Sequence, residues 1–456
     1  MATVGAQSGA PGYAAMPPVP SGPRVHRLLR RPGDPAPDHG PGSGDQGRFA
    51  LALVISLLLV VGSVSWRQKV YFAGDLDPVV LGKAAVTGLA LALCVHARLS
   101  CRRPNAIGRR SLILLGSFIT VATVGGWAAG AGGSSLIVAV RVLMVGAAAL
   151  LLVRSFRVDT VLRALFTAMA AVGATAVVTG AVTVATTGGR LAGGIPPLAP
   201  NEIALLCGVP ALALIWRTLS HRGRAWDAVG IVALTAAVWA SESRTGLAAL
   251  VVAAVVILVQ ARRMPPGAVA AVLASAAAVV YVLLTTTVLA AYFERSNEGS
   301  VATLNSRTIA WTAALDLPQN AVAWWMGGGL ALKRIPVQGQ YWNDQGLDSS
   351  WVSAWVQGGL LCVVLLAVWA VGALIAAGRT PAPYRMLLTA VLVFQLLRSF
   401  LESGLIDATP SFLLFMTMSL LAEPGSRGTL VAAARRTSVP TPATTSSPGT
   451  RRRLRR

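Results

Sequence analysis

From about position 49 onward, apolar stretches rich in Ala, Val, Leu and Gly alternate with short polar ones. Most of the stretches reach the roughly 18 residues that a bilayer crossing requires. They do not show the strict apolar–polar alternation of barrel strands, so they predict helices. About twelve spans follow, near 49–66, 79–97, 111–129, 135–153, 161–185, 202–217, 225–241, 245–260, 267–292, 351–376, 384–402 and 409–422. The expected fold is an all-α, polytopic membrane helix bundle.

One long polar interruption breaks this pattern, from about Phe293 to Gly359. It carries Arg295, Arg307, Lys333, Arg334, Asp344 and Asp348. It also holds six of the twelve tryptophans: Trp311, Trp324, Trp325, Trp342, Trp351 and Trp355. Within it, Ser306 is placed to cap a helix that ends before Pro318. The Gly327-Gly328-Gly329 run reads as a flexible turn, without the Lys-Ser/Thr ending of a phosphate-binding loop.

Charge gives the spans a direction. Lys and Arg collect in alternate loops: 24–48, 98–110, 154–157, 217–224, 262–263, 379 and the C-terminal segment. The intervening loops are nearly bare until 293–350. By the positive-inside rule both termini are expected in the cytoplasm. The segments 66–78, 186–201, 241–244, 293–350 and 403–409 are then expected outside.

Composition agrees. The chain has 456 residues, 54% hydrophobic and only 12% charged, with a mean hydropathy of +0.64. Soluble domains carry about 25% charged residues. The net charge of +22 sits mostly in short loops and tails, so it orients spans rather than binding nucleic acid. Cys94, Cys101, Cys207 and Cys362 are scattered, as are His26, His39, His96 and His221, so neither a disulfide nor a metal site is expected. Residues 1–48 and 423–456 are expected to be disordered cytoplasmic tails flanking a membrane domain at 49–422. The C-terminal tail ends in Arg451, Arg452, Arg453, Arg455 and Arg456, which suits either a solvated tail or contact with anionic headgroups.

The candidate chemistry lies on the side with few positive charges. Arg190 stands in a Gly-rich turn before Pro200-Asn201-Glu202, Arg244 in Ser243-Arg244-Thr245-Gly246, and Arg307 after Ser306. Arginine forks suit phosphate or diphosphate through paired charge-assisted bonds, and snorkelling is the simpler alternative. Arg141 lies inside the fourth span and Arg398 inside the eleventh, four residues before Glu402. Charges so placed face a bundle interior or a wet cavity. Arg398–Glu402 reads first as a structural pair, whereas Arg141 is a candidate for substrate binding. Asp348, before the tenth span, is the candidate base for an attacking hydroxyl, because no histidine lies on that side. The alternative is a carboxylate favoured by the helix dipole. Trp311, Trp324 and Trp342 suit a platform for sugar rings as well as an interfacial belt.

With these residues in place, the chain resembles the O-antigen ligase and polysaccharide polymerase family of bacterial membrane proteins, over roughly residues 110–422. Four stretches carry the resemblance. They are Arg190 to Gly193 followed by Pro200-Asn201-Glu202, Ser243-Arg244-Thr245-Gly246, Ser306-Arg307 with Trp311, Pro318 and Gly327-x-Gly329, and Asp348-Ser349 followed by Gly359-Leu360-Leu361. In the ligase branch the position of Asp348 is typically His, so the departure points to a polymerase-like or divergent member. The resemblance implies a polyprenyl-diphosphate-linked glycan donor, an acceptor glycan hydroxyl, no nucleotide or metal cofactor, and other polysaccharide-assembly proteins as possible partners. Arg190, Arg244 and Arg307 would hold the diphosphate and Asp348 would take the proton. Two other classes stay open: a transporter or flippase of lipid-linked sugars, marked by broken midplane helices, and a catalytically inactive member of an envelope-assembly complex.

Overall fold

The computed structural model describes residues 43–67, 77–101, 104–187, 190–220, 223–261, 309–318, 320–337, 344–382 and 384–438. In chain order the helices are α1 (Ser43–Ser63), α2 (Pro78–Leu99), α3 (Arg110–Ala128), α4 (Gly132–Ser155), α5 (Val158–Thr187), α6 (Pro200–Leu219), α7 (Ala225–Ala240) and α8 (Arg244–Gln260). A helical piece at 309–315 precedes α9 (Ala321–Met326), β1 (Arg334–Pro336) and β2 (Asp344–Gly346). The chain continues through α10 (Ser350–Gly378), α11 (Tyr384–Ser399), α12 (Pro410–Ala422) and α13 (Arg427–Ser438).

Among the described residues, α1 to α6 and α10 are long and apolar enough to cross a membrane. The apolar helices α7, α8 and α12 are shorter, at 16, 17 and 13 residues, and α11 has 16. Each of the eleven predicted spans within the described residues coincides with one of these helices. The remaining predicted span, 267–292, lies outside them, as do Arg295, Ser306, Arg307 and Trp342. The principal neighbours are α6 with α7, α8 with α11, α3 with α10, and α2 with α4. One continuous apolar core joins the bundle, with Phe118, Leu152, Leu165, Phe394 and Phe412 fully buried. In lipid there is little hydrophobic drive between helices, so close packing carries their association.

The segment between the helical piece and α10 forms a small body of its own. Asn320 caps α9, its Oδ1 accepting from Ala323 N at 2.8 Å. The strands β1 and β2 pair antiparallel, Arg334 opposite Gly346. Ala310, Ala314, Ile335, Val337, Leu347 and Val356 form a separate apolar cluster beneath them.

This body is locked to the bundle by backbone contacts. The helix α10 breaks at Gly359, with φ 62° and ψ −165°, a conformation nearly restricted to glycine. In an unbroken helix the carbonyls of Val356 and Gln357 would accept from residues 360 and 361. They accept instead from Gly328 N at 2.8 Å and Gly329 N at 2.9 Å. A Cβ on Gly359 would meet the Trp325 carbonyl carbon at 2.4 Å, and one on Gly327 would meet Gly358 N at 2.4 Å. On the opposite wall, a Cβ on Gly329 would lie 2.6 Å from Gly126 Cα in α3. The Gly327–Gly329 run, expected as a flexible turn, is therefore a fixed insert between α3 and α10. The sequence suggested freedom because glycine permits it; here glycine permits proximity.

Residues 424–438, grouped by composition with the C-terminal tail, contain a 3₁₀ turn at Pro424–Ser426 and then α13. Leu430 is fully buried, which gives this helix an anchor that a count of arginines does not reveal.

The insert is testable. Gly359→Ala is expected to lower stability by at least about 2 kcal/mol, from backbone strain and overpacking together. Gly116→Ala, whose Cβ would meet nothing within 4 Å, is expected to be neutral or slightly stabilising. Thermal unfolding in detergent, followed by size-exclusion chromatography, separates the two outcomes.

Candidate functional site

The site assembles around the start of α6. Glu202 reaches back to its own helix end, Oε2 accepting from Ala199 N at 3.2 Å. Its Oε1 accepts from Ser65 N at 3.3 Å and Ser65 Oγ at 3.0 Å, which ties the chain beyond α1 to α6. Asn201 bridges in the other direction. Its amide donates to Glu402 Oε1, and its carbonyl accepts from Arg398 Nη2 at 2.7 Å. Arg398 is only 4% exposed, and its guanidinium also lies over the Phe394 ring. The predicted Arg398–Glu402 pair is thus part of a larger arrangement, in which Arg398 is attracted by both Glu402 and Glu202.

The same arrangement extends to α2 and α4. Lys83 is attracted by Glu202 and Asp407 and repelled by Arg141. Asp407, between α11 and α12, accepts from Lys333 Nζ at 2.7 Å and is attracted by Arg141 as well. The tally is four cations, Lys83, Arg141, Lys333 and Arg398, against three carboxylates, Glu202, Glu402 and Asp407. The cations come from three helices and the inserted body. Basic side chains from separate elements therefore converge, among the described residues, in a poorly hydrated setting where an anion between them is favoured.

Beside Lys333 and Asp407 lies a cavity of about 70 Å³. Ser350, Ser353, Gln357 and Ser403 give it a polar lining, with Phe118 on one wall. Ser350 fixes the mouth of α10: its N and Oγ donate to the Glu402 carbonyl at 3.1 and 2.8 Å, and its Oγ accepts from Leu405 N at 3.2 Å.

A second group joins two of the predicted arginines. Arg190 donates from Nε and Nη2 to the Ser241 carbonyl at 3.4 Å, and from Nη2 to the Glu242 carbonyl at 3.3 Å. Leu191 N donates to the Ala240 carbonyl at 3.1 Å. The Gly-rich turn therefore lies on the α7–α8 corner that presents Arg244. At that corner Glu242 has a φ of +50°, and Ser243 Oγ caps α8 by accepting from Gly246 N at 3.2 Å. Arg190 and Arg244 are both exposed. Arg141 belongs to the first group, with Lys83 and Asp407.

Asp348 is half-buried between β2 and α10. It does not cap α10; Ser349 does, its Oγ accepting from Val352 N at 3.4 Å. The cavity lining takes Leu347 and Ser350 from either side of Asp348. The tryptophans divide. Trp324 packs edge-on against Trp325 and Trp355, with centroids at 4.9 and 5.7 Å, and Trp324 and Trp325 remain 41% and 47% exposed. Trp355 Nε1 donates to the Ala314 carbonyl at 2.9 Å, joining this cluster to the helical piece that carries Trp311. The indole nitrogen of Trp311 is buried without a hydrogen-bond partner among the described residues.

The sequence reading missed Lys83 and Asp407. Lys83 had a readable signal, being a lone lysine within the apolar run 79–97, where an ionisable residue marks function by default. Asp407 had none, because a short polar loop between two spans is its ordinary setting.

Asp407 gives the arrangement a pH signature. Burial alone would push its carboxyl up, but the Lys333 ammonium beside it, and then Arg141, hold it below the usual carboxylate range. A depressed folded pKa means that the stabilisation is complete above the unfolded value, near 4, and is lost as pH falls through the folded value. The stability advantage of the wild type over Asp407→Asn is expected to be constant near neutrality and to shrink only below about pH 4. Melting temperatures of both proteins across pH 3 to 8 check this, and a loss centred near pH 6 would contradict it.

No curated protein matches the chain. Residues 229–367 match the family model described as O-Antigen ligase. The matched stretch runs from within α7 into α10 and contains Arg244, Arg307, Trp311, Trp324, Trp342 and Asp348. Over this stretch, 139 of the 456 residues, the chain is similar to the O-antigen ligase family.

Proposed function

We propose that this protein is a membrane glycosyltransferase of the ligase or polymerase type. It joins glycan from a polyprenyl-diphosphate-linked donor to a hydroxyl of an acceptor glycan on the outer face of the membrane. The observation that carries this reading is the convergence of basic side chains around the start of α6, in a chain whose residues 229–367 match the O-antigen ligase family. A diphosphate leaving group is the anion that such a site stabilises.

The chemistry is a displacement at the anomeric carbon. The acceptor oxygen forms the new glycosidic bond and loses its proton to the Asp348 carboxylate. The bond between the anomeric carbon and the diphosphate oxygen breaks, and its electron pair leaves with the lipid diphosphate. Fixed cations near that oxygen stabilise charge that grows in the transition state, which lowers the barrier. Arg190, Arg244 and Arg307 are assigned to the diphosphate, supported for the first two by their shared corner. Lys83 and Arg141 supply positive charge from the bundle side. Trp311, Trp324 and Trp342 are assigned to the sugars, supported for Trp324 by its exposed aromatic cluster. Both termini are placed in the cytoplasm by the arginine distribution.

One observation favours a second reading, a flippase of lipid-linked sugars. The break in α10 at Gly359 and the charges within α2 and α4 are features that transporters also use. The family match favours the transferase.

Arg244→Ala and Lys83→Ala are each expected to lower glycan transfer about 100- to 1,000-fold while the protein remains folded. Arg244→Lys should recover only part of the loss, because an ammonium does not reproduce the planar fork. Asp348→Asn is expected to be as damaging as either alanine variant. Product gels from purified protein with lipid-linked donor and acceptor measure all four. Undiminished product from well-folded Arg244→Ala and Asp348→Asn would overturn the assignment.

A further inference from the structure

At the end of the bundle away from this site, a cleft opens between the 104–109 segment, the start of α3 and the end of α4. Its volume is about 340 Å³, and Ile107, Leu112, Ile113 and Leu150 form its apolar wall. Two guanidinium groups, Arg109 and Arg154, complete it, and no acidic side chain is among its described lining residues. Arg154 Nε is buried and has no hydrogen-bond partner among the described residues. Ile113 is 63% exposed beside it, on a helix of membrane-spanning length, so the cleft opens sideways to lipid.

The cleft is preformed. Asn105 N donates to the Arg154 carbonyl at 2.9 Å, and Asn105 Nδ2 donates to the carbonyls of Val153 and Phe156 at 2.8 and 2.6 Å. Those bonds cap the end of α4 and neutralise carbonyls that would otherwise repel an anion. Glu423 lies behind Gly108. It is 3% exposed and already accepts from Ser111 N at 2.6 Å and Arg110 N at 3.3 Å. Its charge is spent on the start of α3, which leaves the face of Arg109 and Arg154 positive.

An apolar wall under two arginines, at the arginine-rich end of the spans, matches one ligand chemistry. We propose that this cleft is a binding site for an anionic phospholipid of the same leaflet, with its phosphate on Arg109 and Arg154 and the first part of an acyl chain along Leu112, Ile113 and Leu150. The site is separate from the transfer chemistry and does not depend on that reading. It gives the bundle a lipid-dependent stability at the α3–α4 edge.

The test is lipid binding to the full-length protein, delipidated in neutral detergent and titrated with dioleoyl phosphatidylglycerol or dioleoyl phosphatidylcholine, with bound copies read by native mass spectrometry. The wild type is expected to prefer phosphatidylglycerol at its tightest position by about ten- to thirtyfold. The Arg109→Gln/Arg154→Gln double variant is expected to lose that preference, and Arg379→Gln, a cation elsewhere in the arginine-rich loops, to keep it. Leu150→Trp fills the apolar wall without changing charge and is expected to lose the tight copy as well. Melting temperature in neutral detergent confirms that each variant is folded, and the two cleft variants test the site independently. Wild-type binding by the double variant overturns the proposal. So does wild-type binding by Leu150→Trp alongside loss in the double variant, since that pattern is diffuse surface attraction. Full competition by glycerol phosphate at the lipid's own concentration would also overturn it, by showing that the headgroup suffices without a membrane lipid.

Discussion

The bonds from Gly328 and Gly329 to the carbonyls of Val356 and Gln357 organise the end of the molecule that carries the candidate site. A helix that breaks within a membrane leaves backbone groups without partners, and each is costly unless something else supplies a bond. Here the supplier is a three-glycine insert, and the exchange fixes two things at once. The break redirects the start of α10, and the insert sets the position of Lys333, four residues beyond Gly329. Lys333 then reaches Asp407, and Asp407 is within the electrostatic reach of Arg141 and Lys83. A backbone accommodation at α10 therefore propagates to side-chain charge near α6.

That charge is not explained by stability alone. An apolar replacement of a buried ion pair is often as stable as the pair itself, so four cations and three carboxylates gathered at one end would be a poor way to hold helices together. Asn201 and Ser65 show how much backbone and side-chain hydrogen bonding is committed to orienting the acids. Asp407 in turn holds Lys333 by an ion pair, and the Asn201 carbonyl holds Arg398. Fixed charges need no reorganisation when new charge develops beside them, which is the condition for electrostatic catalysis. The small cavity beside Lys333 and Asp407 is polar and narrow, so it suits water or a single functional group better than a whole sugar.

The sequence carried the helices well and the site unevenly. Apolar runs under lipid constraint leave few alternatives, so every predicted span within the described residues is a helix. Arg190 and Arg244 were readable because arginine on the poorly charged side of a membrane protein is unusual, and the structure does bring their segments together. Arg141 was readable for a different reason, a charge inside an apolar span, but its neighbours were not. Lys83 and Arg141 lie on different helices and Asp407 in a loop far along the chain, so only the packing of α2 on α4 reveals them as a group. The glycine run misled because sequence shows that glycine permits unusual conformations, not whether the fold uses that permission for motion or for close contact.

The family match spans residues 229–367, yet Lys83, Arg141, Arg190 and Glu202 all lie before it and Arg398, Glu402 and Asp407 after it. A site built this way divides its labour. The matched stretch supplies the loop-borne residues, including Asp348. The unmatched helices supply a charged frame whose members need only the right sign and position. The resemblance lies in the loop-bearing part of the chain, while the charged cluster is built largely from residues outside it that no short motif identifies.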